Sequence, residues 1–179
     1  MIFTDTPYAR FNGNPACRNI HKTAYFILTK CAELLAFTYP GHQVINFGDA
    51  CPLSGNCSGH PDGAHSGRHS AAIDMDYMTI EGANTTQSRK VSKGPLDIIW
   101  KDGKLVNFDW KRNFIFWRLL YTVHPKIKIA VDTRIFDFVK KEVQRNYGVF
   151  EANCLAYYLQ PDSRPEFNHD THCHIRFQL

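Results

Sequence analysis

The chain has 179 residues, 44% of them hydrophobic and 21% charged, which is enough for a single domain with a buried core. Its formal charge of +4 comes without a long Lys/Arg run, so it suits an anionic polymer without selecting nucleic acid, and no basic-aromatic motif supports that partner. No apolar run approaches a membrane span, and Met1-Ile2-Phe3-Thr4-Asp5 lacks the charged-then-apolar pattern of a signal peptide. Residues 1–20 are expected to be irregular, with Asn12-Gly13 and Asn14-Pro15 as turn signals. From Thr23 to Phe37, Ala24, Ile27, Leu28, Cys31, Leu34 and Leu35 recur at helical spacing, and Pro40-Gly41 ends the run. Val44 to Phe47 reads as a short strand ending at Gly48-Asp49. Residues 48–68 then form a long glycine-rich polar loop, a kind that is usually functional when it lies inside a domain.

His69 introduces a second strand in which Asp74, Asp76 and Met78 alternate with Ile73, Met75 and Tyr77. Residues 82–96 are polar, and Asp102-Gly103 marks a hairpin between Ile98 and Val106. Asn107 or Asp109 can cap a helix running to about Tyr121, whose inner face carries Phe114, Trp117, Leu120 and Tyr121. Lys126 to Val131 is a strand, and Asp132 caps a helix from Thr133 to Tyr147 that Gly148 stops. A further helix is expected from about Phe150 to Leu159, then a loop from Gln160 to Pro165 and a final strand from Thr171 to Gln178. Helices and strands mix without regular βαβ alternation, so the fold class is α+β, in one domain spanning 1–179.

Six cysteines stand at 17, 31, 51, 57, 154 and 173. Cys51 and Cys57 are near enough in sequence to close a small disulfide loop, while Cys31, Cys154 and Cys173 read as buried apolar residues. Together with His60 and His65, Cys51 and Cys57 also offer a second metal site, although zinc-site cysteines are usually more tightly spaced. His21, His42 and His124 read as surface residues, and Trp100, Trp110 and Trp117 as core.

The chemistry concentrates at His169-Asp170-Thr171-His172-Cys173-His174. On a strand, alternate residues share a face, so His172 and His174 stand together while Cys173 and Ile175 point into the core. Asp74 and Asp76 also share a face of their strand. Two carboxylates so close repel unless a cation lies beside them. A catalytic zinc takes three His or carboxylate ligands and keeps one position for water. His69, Asp76 and His174 satisfy that count. Bound zinc brings the pKa of its water toward 7, and His172 is placed to serve as general base. Asp74 either hydrogen-bonds a turn or orients a ligand histidine.

His69-x6-Asp76 followed by His172-x-His174 resembles the ligand pattern of the superfamily that groups lysostaphin-type peptidases, D-Ala-D-Ala metallopeptidases and the hedgehog domain. The chain is most similar to the penicillin-insensitive murein endopeptidases over about residues 44–178. The matching segments are Gly48-Asp49, His69 through Asp76, Asp109-Trp-Lys-Arg112-Asn113-Phe, and Pro161-Asp-Ser through His169-Asp-Thr-His172-Cys-His174-Ile-Arg176. Where that family usually has a Gly and an earlier His, this chain has Ala72 and Ser66.

The resemblance implies a small central antiparallel sheet flanked by helices, with Zn2+ bound by His69, Asp76 and His174. It also implies His172 as the base and His169 lining the site. The implied activity is hydrolysis of peptide cross-links in peptidoglycan, commonly at a D-alanyl bond. The implied setting is the periplasm or cell exterior, or a phage-type lysin made in the cytoplasm. The rivals are a D,D-carboxypeptidase or dipeptidase of the same superfamily and a non-catalytic zinc-containing binding or signalling module.

Overall fold

Three helices and one strand organise the molecule, and each follows from its apolar spacing. In a computed structural model, the residues described are 1–13, 15–39, 41, 44–51, 70–80, 100–101, 104–162 and 172–179. Helix α1 (Lys22–Thr38) buries Ala24, Leu28, Cys31, Ala32 and Leu35, one stripe at helical spacing. Its first turn is capped by the His21 ring, whose Nδ1 accepts from the Thr23 amide at 3.3 Å. Helix α2 (Trp110–Val123) starts at Asp109, whose Oδ1 accepts from the Arg112 amide at 2.9 Å. Helix α3 (Thr133–Tyr147) is capped by Asp132 and ends at Gly148, where φ is 95°, a backbone state that glycine adopts without strain. A short α4 (Val149–Cys154) follows.

Strands β1 (Ala9–Phe11), β2 (Ile45–Cys51), β3 (Ser70–Asp76), β6 (Ile127–Asp132), β7 (Leu159–Asp162) and β8 (His172–Gln178) form a six-stranded sheet in the order β1-β2-β3-β8-β6-β7. Strands β4 (Trp100–Lys101) and β5 (Lys104–Leu105) pair separately as a small hairpin. The class is α+β, as the sequence indicated, but the sheet is mixed rather than purely antiparallel. Its four inner strands run antiparallel, and the two edges, β1 on β2 and β7 on β6, pair in parallel. Three further expectations are corrected. Residues 9–11 are a strand rather than irregular chain, residues 48–51 continue β2 rather than opening the loop, and residues 159–162 are a strand rather than helix end and loop.

β8 lies in the middle of the sheet, between β3 and β6. Its odd-numbered residues, Cys173, Ile175 and Phe177, are buried completely. They share a core with Ile73, Met75 and Phe47 from the neighbouring strands and with Leu28 and Trp117 from the helices. Phe116 meets Phe47 ring to ring at 6.3 Å, and Trp117 meets Tyr77 edge-on at 6.2 Å, which fixes α2 against this face. The end of β3 is tied to α2 by one buried amide. Asn113 donates from Nδ2 to the Met78 carbonyl at 2.9 Å, and its Oδ1 accepts from the Met78 amide at 3.2 Å. A side chain thus supplies what a neighbouring strand would otherwise supply, satisfying backbone groups that have no access to water.

Arg112 and Asn113, in the first turn of α2, are both buried. The guanidinium of Arg112 lies over the Tyr39 ring at 5.0 Å, and its Nη1 is 3.3 Å from Asp109 Oδ2. The aromatic face and the carboxylate offset part of the cost of burying the guanidinium.

Candidate metal centre

The opposite faces of β3 and β8 carry the polar groups. The antiparallel register places Asp74 opposite His174 and Asp76 opposite His172. With alternate residues on one face, these four side chains make a two-by-two patch of carboxylates and imidazoles. Because both strands are internal to the sheet, the patch is built on rigid backbone rather than on loops.

Within the patch, Asp74, His172 and His174 each direct a ligand atom into one small volume, and the three atoms lie within 4.8 Å of one another. His172 Nε2 is 3.1 Å from His174 Nε2, and the two rings are tilted by 30°. His174 Nε2 is 3.2 Å from Asp74 Oδ1. A neutral imidazole has one N–H and one lone pair, so a single hydrogen on His174 Nε2 satisfies at most one of these contacts well. One cation can take a lone pair from each of the three ligand atoms. Tetrahedral zinc, with bonds of about 2.0–2.2 Å to N and O, puts adjacent ligand atoms about 3.3 Å apart. The separations of 3.1 and 3.2 Å match two edges of that tetrahedron. The donor set, two imidazoles and a carboxylate, is also one that zinc accepts, with a fourth position left over.

The side chains of His174 and Asp74 retain 14% and 13% exposure, so the centre is recessed without being sealed. Asp76 is more deeply placed, at 1% exposure. Cys173 takes no part, although it lies between the two histidines in sequence. It points into the core, and burial pushes its thiol well above the usual range. The nearby Trp117 indole opposes that shift, and the charges of Asp74 and Asp76 add to it. Cys17, on the short turn Pro15–Cys17 beside β2, is likewise raised by burial and by the charges of Asp49 and Asp74. Cys17, Cys31, Cys154 and Cys173 are all free thiols, and burial lifts Cys31 to about 12.

Of the residues singled out from sequence, His172 and His174 come together on β8. Asp76 occupies the same face, opposite His172, but is not one of the three whose ligand atoms fall within 4.8 Å. His69 and His169 lie outside the described residues, as do His42, His60, His65, Cys57, residues 52–68 of the loop expected over 48–68, the 82–96 segment, Asp102-Gly103 and residues 163–165 of the loop expected over 160–165. From sequence Asp74 is read as supporting a turn or a ligand histidine, and the structure brings its carboxylate into contact with His174. The signal that marks it is the Asp-x-Asp alternation, which puts Asp74 on the same face as Asp76. His124 is not a bare surface residue, because its Nε2 lies 3.1 Å from the Gln178 carbonyl at the end of β8. No protein-family model matches the chain, and no curated protein matches it in sequence.

Proposed function

We propose that this chain is a zinc-dependent peptidase that hydrolyses peptide cross-links in peptidoglycan, on the sheet architecture of the hedgehog and D-Ala-D-Ala peptidase superfamily. The observation that carries the reading is the convergence of His172, His174 and Asp74 at tetrahedral-ligand separations on two paired inner strands. The resemblance of the segments around residues 48–49, 69–76, 109–114 and 161–176 to murein endopeptidases supplies the substrate class. Bound there, zinc contributes Lewis acidity toward a scissile carbonyl and toward water. The carboxylate of Asp74 partly neutralises the cation, and the pleat of β8 holds the two imidazoles in fixed relation to it.

Two ligand assignments share His174. The geometry favours Asp74 and His172 as its companions, because their donor atoms already meet. The resemblance favours His69 and Asp76, which leaves the His172 imidazole to take a proton as general base and return it to the leaving amine. The function is tested by measuring zinc content together with digestion of purified sacculi. Mass spectrometry of cross-linked and uncross-linked muropeptides separates an endopeptidase from a carboxypeptidase that trims D-Ala termini. Stoichiometric zinc with release of uncross-linked muropeptides is the expected result. Bound zinc with intact sacculi and intact muropeptides would replace this reading with a binding module.

A further inference from the structure

β2 does not pair evenly with β3. Phe47 pairs with Met75 and Ala50 with Ile73, so three steps along β2 match two along β3. The extra residue makes a β-bulge in which Gly48 and Asp49 together face Asp74. Bulges re-aim side chains and concentrate beside functional sites. The backbone of Gly48 does not adopt the left-handed conformation that favours glycine, which among the described glycines occurs at Gly41 and Gly148. What excludes a side chain at Gly48 is space. A Cβ placed there would stand 2.9 Å from the Asp74 Cβ and 3.6 Å from its Oδ2. Non-bonded carbons prefer about 3.5–4.0 Å. The bulge is also backed from the far side, because Gly13 approaches so closely that a Cβ on it would lie 2.6 Å from the Gly48 carbonyl carbon. The Asn12 amide donates to the Phe47 carbonyl at 2.7 Å and holds that segment in place.

We infer that Gly48 is a positioning residue for the metal centre: the bulge it forms leaves the room in which the Asp74 carboxylate stands within ligand distance of His174. This rests on the reading of Asp74 as a zinc ligand. A methyl group at residue 48 has no soft neighbour to displace, since it meets the first carbon of the Asp74 side chain on an inner strand. Rotation of the side chain does not move that carbon, so one of the two strands must shift, and the carboxylate moves with it.

The test uses the full chain with Zn2+ and Co2+ as probes. Gly48→Ala is expected to weaken zinc binding by about 10–100-fold, the range seen when support around a metal ligand is lost. It is also expected to alter the visible d–d spectrum of the Co2+ form, which reports ligand geometry and which a general loss of stability does not move. In an Asp74→Asn background, Gly48→Ala should cost little further affinity, because coupled residues are non-additive. If Gly48→Ala does not fold, Asp74→Gly in the same chain removes the clashing Cβ and should restore folding. The proposal is overturned by an unchanged affinity and Co2+ spectrum in Gly48→Ala, by full additivity with Asp74→Asn, or by no rescue from Asp74→Gly. Wild-type protein that binds no zinc would instead overturn the metal site itself, and Asp74→Asn with wild-type affinity would remove the ligand role on which Gly48 acts.

Discussion

The two faces of β8 are made by one heptapeptide and do opposite things. Cys173, Ile175 and Phe177 are sealed in the core, while His172, His174 and Arg176 alternate with them toward the other side. The core face tolerates no water and gains its free energy from apolar burial, roughly 1.5–3 kcal/mol for each large side chain. The polar face stays partly open and gathers two imidazoles beside the carboxylates of Asp74 and Asp76. The period of two therefore lets one rigid element supply stability and chemistry independently, and substitutions on the two faces should separate these properties.

The largest effect is expected on the polar face. His174→Ala should lower zinc affinity by more than about 100-fold, beyond the range for a merely supporting group, and abolish hydrolysis of sacculi. Its circular dichroism should stay that of the folded chain, and an active, zinc-replete His174→Ala protein would remove the site. His172→Ala comes next and divides the two ligand assignments. The meeting of the two Nε2 atoms at 3.1 Å predicts that zinc is lost along with activity. Retained zinc with turnover reduced by about 10²–10⁴ would instead make His172 the base.

On the core face, Ile175→Ala should cost about 2–5 kcal/mol in urea denaturation, because it opens a cavity between β3 and β6. The protein that remains folded should keep its zinc affinity. If that affinity falls in step with stability, the two faces are not separable. The smallest effect lies away from both faces. Asp132→Ala removes the cap of α3 and should cost about 1 kcal/mol. Burial alone would raise the Asp132 carboxyl, but hydrogen bonds from the Arg134 side chain and backbone, with its charge, hold it below the usual value. A carboxyl depressed in the folded state contributes stability above its unfolded pKa of about 3.9, and that contribution is lost as pH falls through the folded value. Thermal melts from neutral pH to about pH 3 should show wild type and Asp132→Ala converging on the acid side. A constant gap would deny the linkage.

Much of this architecture is legible in the residues. The stripe from Ala24 to Leu35, the caps at Asp109 and Asp132 and the stop at Gly148 locate the three long helices to within a residue or two. They do so because these signals act within a single turn. The faces of β8 follow from alternation alone. The two strands that the sequence conceals, 9–11 and 159–162, are both edge strands of three or four residues. They are too short for a periodic signal, and their pairing partners are distant in sequence. Pro161, which argues against a strand, is tolerated at an edge where no outer neighbour needs its missing N–H.

The site was half visible. His172 and His174 declare themselves by spacing, whereas the nearness of Asp74 to His174 depends on strand register, which no local pattern specifies. The bulge at Gly48 is hidden for the same reason. So is the burial of Arg112, which requires Tyr39 and Asp109 to be brought to it by the packing of α1 on α2.

The most direct test is the number of zinc ions held per chain, determined by elemental analysis after reconstitution and desalting, for wild type and for Asp74→Asn. Convergence of Asp74, His172 and His174 on one ion predicts one zinc in the wild type and close to none in the variant. A wild-type chain that retains no zinc, or a variant that retains one, would contradict it.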